Sequence, residues 1–161
     1  MNATTQARYL KRIRLCIWII IIGLFVSGVT AFPLEPELRW LAGHSAHFPA
    51  AMQYWLLRVS RALQAENLQY PFLSYGTDWL AFAHLVIAIV FIGPLRNPVK
   101  NIWVIQFGII ACLLIFPLAF IAGPVRQIPL YWRFIDCSFG IIGIVPLLIA
   151  HYYTRQLEKG Q

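Results

Sequence analysis

Four long apolar runs separated by polar, proline-containing segments set the pattern of this chain. The first extends from Leu15 to Phe32 and contains Ile17-Trp18-Ile19-Ile20-Ile21-Ile22. The second, Trp79 to Leu95, is broken only by His84, and the third, Ile102 to Ala122, only by Gln106. The fourth runs from Cys137 to Tyr153, with Ser138 near its start and His151 near its end. A helix crossing a bilayer needs about 20 mostly apolar residues. The pattern therefore predicts spans at residues 15–32, 78–95, 102–122 and 136–153. The second and fourth apolar runs are at the short end, and Tyr75, Trp79, Tyr131, Trp132, Tyr152 and Tyr153 flank them as interfacial anchors. The expected fold is all-α: an integral membrane four-helix bundle forming one domain over residues 1–161.

The segment between the first two spans, residues 33–77, is too long for a bare connection. Pro33 and Pro36 end the first span, and Glu35 and Glu37 open a short helix to Ala42. After Pro49, Met52, Leu56, Val59 and Leu63 recur at helical spacing, with Gln53, Arg58, Ser60, Arg61 and Gln64 on the other side. That is an amphipathic helix, Ala50 to Ala65, lying on the membrane or capping the bundle. The connection from Arg96 to Asn101 is short, so the second and third spans are antiparallel neighbours. Small residues, which let membrane helices approach closely, predict the packing faces. They are Gly23, Ser27 and Ala31 in the first span; Ala81, His84 and Ala88 in the second; and Gly108, Ala111, Cys112, Ala119 and Ala122 in the third. In the fourth, Asp136, Gly140, Gly143, Leu147 and His151 form one stripe.

Composition agrees with lipid as the solvent. Hydrophobic residues make up 60% and charged residues 12%, about half the charge that covers a soluble domain. The formal net charge of +7 is not spread along a polar face with interleaved aromatics, which argues against nucleic acid as a partner. It sits beside the spans. With the N-terminus inside, Arg8, Lys11, Arg12, Arg14, Arg96, Lys100, Arg155 and Lys159 face the cytoplasm against Glu158 alone, a balance of +7. The outer segments balance five arginines (Arg39, Arg58, Arg61, Arg126, Arg133) against five carboxylates (Glu35, Glu37, Glu66, Asp78, Asp136). The positive-inside rule therefore predicts cytoplasmic termini and an extracytoplasmic amphipathic helix. Val29-Thr30-Ala31 resembles a signal-peptidase site, but the apolar run before it is longer than a usual signal core, so an uncleaved span is expected.

Polar groups inside a bilayer are costly and often functional. His84 lies roughly 8–10 Å below the outer end of its span at ~1.5 Å per residue. It is the candidate haem ligand, quinone partner or proton relay, against the plainer expectation of a neutral histidine bonded to a neighbouring helix. His151 falls near the opposite end of its span, at a depth too different to share one haem with it. His44-Ser-Ala-His47 has the spacing of a weak metal pair without a third ligand. Asp78, Arg126, Arg133 and Asp136 gather at outer span ends, with Arg133 and Asp136 at i,i+3. An ion-pair network tying loop to bundle is the structural expectation for them. The functional alternative is an anionic-ligand or lipid-headgroup site to which Glu35 and Glu37 contribute. Cys16, Cys112 and Cys137 fall at different depths, so no disulfide is expected. No thiol-oxidising C-x-x-C, hydrolase triad or phosphate-binding glycine loop is present.

The stretches Tyr75-Gly76-Thr77-Asp78-Trp79-Leu80-Ala81-Phe82-Ala83-His84, Gly93-Pro94-Leu95-Arg96-Asn97-Pro98 and Trp132-Arg133-Phe134-Ile135-Asp136-Cys137-Ser138-Phe139-Gly140 resemble a group of uncharacterised bacterial four-pass membrane proteins. The resemblance implies a bacterial inner-membrane location and no particular activity. The functional expectation is a non-enzymatic binding or accessory subunit acting through its outer polar cap. Its partners would be the lipid bilayer and another membrane protein. A haem- or quinone-interacting redox protein using His84 is the alternative, and a small transporter fits the residues least.

Overall fold

The computed structural model describes residues 2–160, and 88% of these residues are helical, the short 3₁₀ turns included. The α-helices are α1 (Ala3–Ala31), α2 (Leu34–Gly43), α3 (Ala50–Gln69), α4 (Tyr75–Val90), α5 (Ile92–Arg96), α6 (Ile102–Val125) and α7 (Leu130–Lys159). Short 3₁₀ turns at Ser45–His47 and Pro71–Leu73 lie between α2 and α3 and between α3 and α4. Four segments are long and apolar enough to cross a membrane: α1, the run Pro71–Arg96, α6 and α7. At about 1.5 Å per residue, the 29 residues of α1 and the 30 of α7 reach about 43–45 Å, past a hydrocarbon core of ~30 Å. The first turns of α1 and the last turns of α7 hold Arg8, Lys11, Arg155 and Lys159. α1 thus begins twelve residues ahead of the expected span, because neither proline nor glycine interrupts its polar lead-in. The second span is divided at Phe91: Pro94 has no N–H for the Val90 carbonyl, so the ladder fails there.

The chain forms two compact units, with the boundaries inside α1 and α4. One holds residues 1–23 and 88–161. Its core is Ile13, Ile17, Phe91, Val104, Ile105, Leu147 and Leu157, and α6 packs along α7. Glycine sets that spacing: a Cβ on Gly140 would stand 2.8 Å from the Cys112 carbonyl oxygen, and one on Gly108 would stand 2.9 Å from Phe91 Cζ. Arg12 donates a hydrogen bond to the Tyr153 hydroxyl and lies over its ring. All three cysteines are free thiols.

The other unit, residues 24–87, packs α2 on α3 and buries Leu56, Ala42, Ser45 and Ser60. The amphipathic helix is present and extends to Gln69, but Ser60 is buried where the sequence pattern put it on the polar side. In α1, Gly28 makes the close approach, 2.9 Å from Cβ to the Ala81 carbonyl oxygen, whereas Gly23 and Ser27 are exposed. Ala81 is buried as expected, as is Ala88 in the first unit.

Candidate functional site

The connection from α6 to α7 turns sharply. Gln127 takes φ 58°. Its N–H bonds the Pro124 carbonyl at 3.0 Å, and the Ile128 N–H bonds the Gly123 carbonyl at 2.9 Å. That paired arrangement is the Schellman stop, with glutamine in the left-handed position that glycine usually takes. The turn leaves the Ile128 carbonyl directed at the first turn of α7, where Arg133 Nε donates to it at 2.8 Å. The arginine stem lies across Gly123: a Cβ there would stand 2.8 Å from Arg133 Cδ and 2.9 Å from Nε. Gly123 is therefore glycine because arginine occupies its side-chain space.

Arg126, Arg133 and Asp136 are brought together in one cavity of about 250 Å³, whose apolar walls include Ile115, Leu118 and Ala119. Two arginines and one aspartate line it, a formal excess of one positive charge. The expected ion pair between Arg133 and Asp136 does not form. The ion pairs among the described residues are Arg39–Glu35 and Arg155–Glu158, both within single helices. The i,i+3 spacing puts Arg133 and Asp136 on one face, but the Ile128 carbonyl captures the guanidinium first. Arg126, the residue that follows α6, is exposed, and Asp136 is half-buried.

The remaining sequence candidates divide among other places. Glu35 belongs to a hydrogen-bond chain within the second unit. Arg39 donates to its Oε1, Asn67 Nδ2 to its Oε2 at 2.6 Å, and Ser74 in turn to Asn67 Oδ1. The Asn67 amide first and Arg39 second hold the Glu35 carboxyl below the usual glutamate range. The chain ties α2 to the end of α3 and to the residue before α4, a structural duty. Glu37 is exposed and takes no part in it. Asp78 stands in the first turn of α4 and lines a separate cavity with Phe32, Tyr75, Trp79 and Phe82.

His84 is half-buried, and its Nδ1–H donates to the Leu80 carbonyl of its own helix at 2.8 Å. His151 lies in the other unit, its Nε2 buried without a partner among the described residues. His44, the residue closing α2, bonds the Trp40 carbonyl through Nδ1 at 2.8 Å, and His47 ends the following 3₁₀ turn. Both are exposed and occupy different elements. Among the described residues, no group of three or more His, Cys, Asp or Glu side chains is placed to hold a metal ion.

Sequence reasoning missed Gly123, Ile128 and Asn67 as positioning residues. The Gly123-Pro124 pair marks the end of a helix, but nothing in it says that an arginine will lie over the glycine. No protein-family model, curated protein or solved structure matches the chain, so its function must be argued from these side chains alone.

Proposed function

We propose that this chain is a multi-pass protein of a bacterial inner membrane with cytoplasmic termini. It acts as a non-enzymatic binding or accessory subunit through an extracytoplasmic polar cap. Within that cap, the Arg126–Arg133–Asp136 cavity takes an anionic group such as a lipid-headgroup phosphate. The charge asymmetry of the connecting segments supports the orientation, and the three resembling stretches support the bacterial membrane. One observation carries the binding role: Arg133 is held by the Ile128 carbonyl and Gly123, not by a carboxylate, beside Arg126 in a cavity with apolar walls. A guanidinium anchored through Nε keeps its terminal N–H groups for a ligand, and its planar fork matches phosphate oxygens. The apolar walls suit the adjoining glycerol and acyl carbons.

The test is native mass spectrometry of protein released from nanodiscs of equal phosphatidylglycerol and phosphatidylethanolamine. The wild type is expected to retain phosphatidylglycerol. Arg126→Gln and Arg133→Gln each reduce that retention about fivefold, equivalent to about 1 kcal/mol. Asp136→Asn retains as much or more, because it removes the repelling charge. Equal retention by the wild type and both arginine variants would refute the site. A membrane protein that co-purifies with the wild type and is lost from the arginine variants would support the accessory role.

A second reading has its own observation. A histidine that ligates a metal commonly donates its other ring N–H to a carbonyl, which is the arrangement of His84 and Leu80. A haem or quinone role for His84 predicts a Soret band or a co-purifying quinone that disappears in His84→Ala. A colourless preparation containing neither excludes it.

A further inference from the structure

The second cavity, about 210 Å³, is built within residues 24–87 by Phe32, Tyr75, Asp78, Trp79 and Phe82. Tyr75, Trp79 and Phe82 recur at i, i+4 and i+7, so they share one face of α4. Their rings stand edge to face, Tyr75 to Trp79 at 6.0 Å and 79°, and Trp79 to Phe82 at 6.0 Å and 86°. Phe32 adds a fourth ring from just beyond α1. All four are about half exposed, from 47% to 60%, so the rings line an open site and do not fill a core.

Aromatic anchoring at a membrane surface accounts for rings at the end of a span. It does not account for a carboxylate among them. Asp78 is half-buried and has no hydrogen-bond or ion-pair partner for its side chain among the described residues. Ring faces carry negative potential, and with the carboxylate they form a surface complementary to a cation. A hard metal ion would need several more oxygen ligands, and no such cluster is present among the described residues. An organic ammonium needs none, because ring faces replace its water. The volume lies below the roughly 300–1,000 Å³ of sites for drug-sized molecules, which suits one small headgroup.

We propose that this cavity binds the ammonium headgroup of a zwitterionic phospholipid. The lipid is the source because the site sits at the start of a segment apolar enough to span a membrane, and its half-exposed rings face the surroundings at that level. The assignment is independent of the arginine cavity, whose residues belong to the other unit.

Nanodiscs of equal phosphatidylethanolamine and phosphatidylglycerol, followed by native mass spectrometry, test it. The wild type is expected to retain one phosphatidylethanolamine. Asp78→Asn and Trp79→Leu reduce that retention about tenfold, while Asp78→Glu keeps it, separating lost charge from lost fold. Arg133→Gln also keeps it, so failure here is distinct from failure of the anionic site. Tetramethylammonium chloride displaces the lipid and sodium chloride at equal concentration does not. Unchanged retention in Asp78→Asn and Trp79→Leu would overturn the proposal, as would loss from an Asp78→Glu variant that melts like the wild type. Equal displacement by the two salts would overturn the ammonium chemistry. Sub-millimolar binding of tetramethylammonium to delipidated protein, read by tryptophan fluorescence, would overturn the lipid as the source.

Discussion

Gly123→Ala perturbs the arginine cavity without changing any charge. The new methyl would stand 2.8 Å from Arg133 Cδ, 2.9 Å from Nε and 3.2 Å from Cγ, inside ordinary contact distance at three points. The stem must therefore move by about half an ångström or more, while Nε is fixed on the Ile128 carbonyl by a 2.8 Å hydrogen bond. Breaking a hydrogen bond from a charged donor costs about 1.5–3 kcal/mol. Alanine recovers about 1 kcal/mol of helix propensity over glycine. The expected net loss is about 0.5–2 kcal/mol, towards the lower end because Arg133 is only half-buried and water replaces part of the bond. Two readouts follow: a lower melting temperature in detergent, and weaker phosphatidylglycerol retention in nanodiscs. A variant equal to the wild type in both would show that Arg133 is not held as described, and the site would lose its organising residue.

Three further outcomes are expected. Gly140→Ala places a Cβ 2.8 Å from the Cys112 backbone oxygen and should destabilise by about 1–3 kcal/mol, whereas Gly23→Ala meets nothing within 4 Å and should melt at or above the wild type; thermal melting of the pair checks this. Gln127→Gly relieves a left-handed backbone at φ 58° and should raise stability by about 0.5–1 kcal/mol in the same assay. Glu35 has its folded-state pKa lowered by Asn67 and Arg39, so its contribution is complete above the usual glutamate range and is lost as pH falls through the folded value. Protection factors of α2 amides, which correct for the intrinsic pH dependence of exchange, should fall below about pH 4 in the wild type and stay constant in Glu35→Gln.

The spans were legible because lipid demands long uninterrupted apolar runs, and those runs match the four segments of the structure. Their packing faces were less so. In lipid both the buried and the exposed sides of a helix are apolar, so periodicity does not say which small residue is inside. That is why Gly28, and not Gly23 or Ser27, makes the close approach in α1. Ala81 and Ala88 were readable because a single polar residue, His84, marks that side of its span. The cavity was half legible. Arg126, Arg133 and Asp136 stood out as charges at span ends, but their spacing pointed to an ion pair. The Schellman turn that redirects Arg133 lacks the glycine that would announce it, since Gln127 occupies that position. Likewise Asn67, beyond the Ala50 to Ala65 helix that the pattern predicts, is still helical and binds Glu35.

The proposed function puts α2, α3 and the arginine cavity outside the membrane, and labelling tests that directly. In a background with Cys16, Cys112 and Cys137 replaced by serine, single cysteines are introduced at exposed Ala46 and at exposed Glu158. Intact bacterial cells are then treated with a membrane-impermeant maleimide. Ala46→Cys should label in intact cells and Glu158→Cys only after permeabilisation. The reverse pattern, or labelling of both in intact cells, would contradict the proposed topology and leave the polar cap without its outer face.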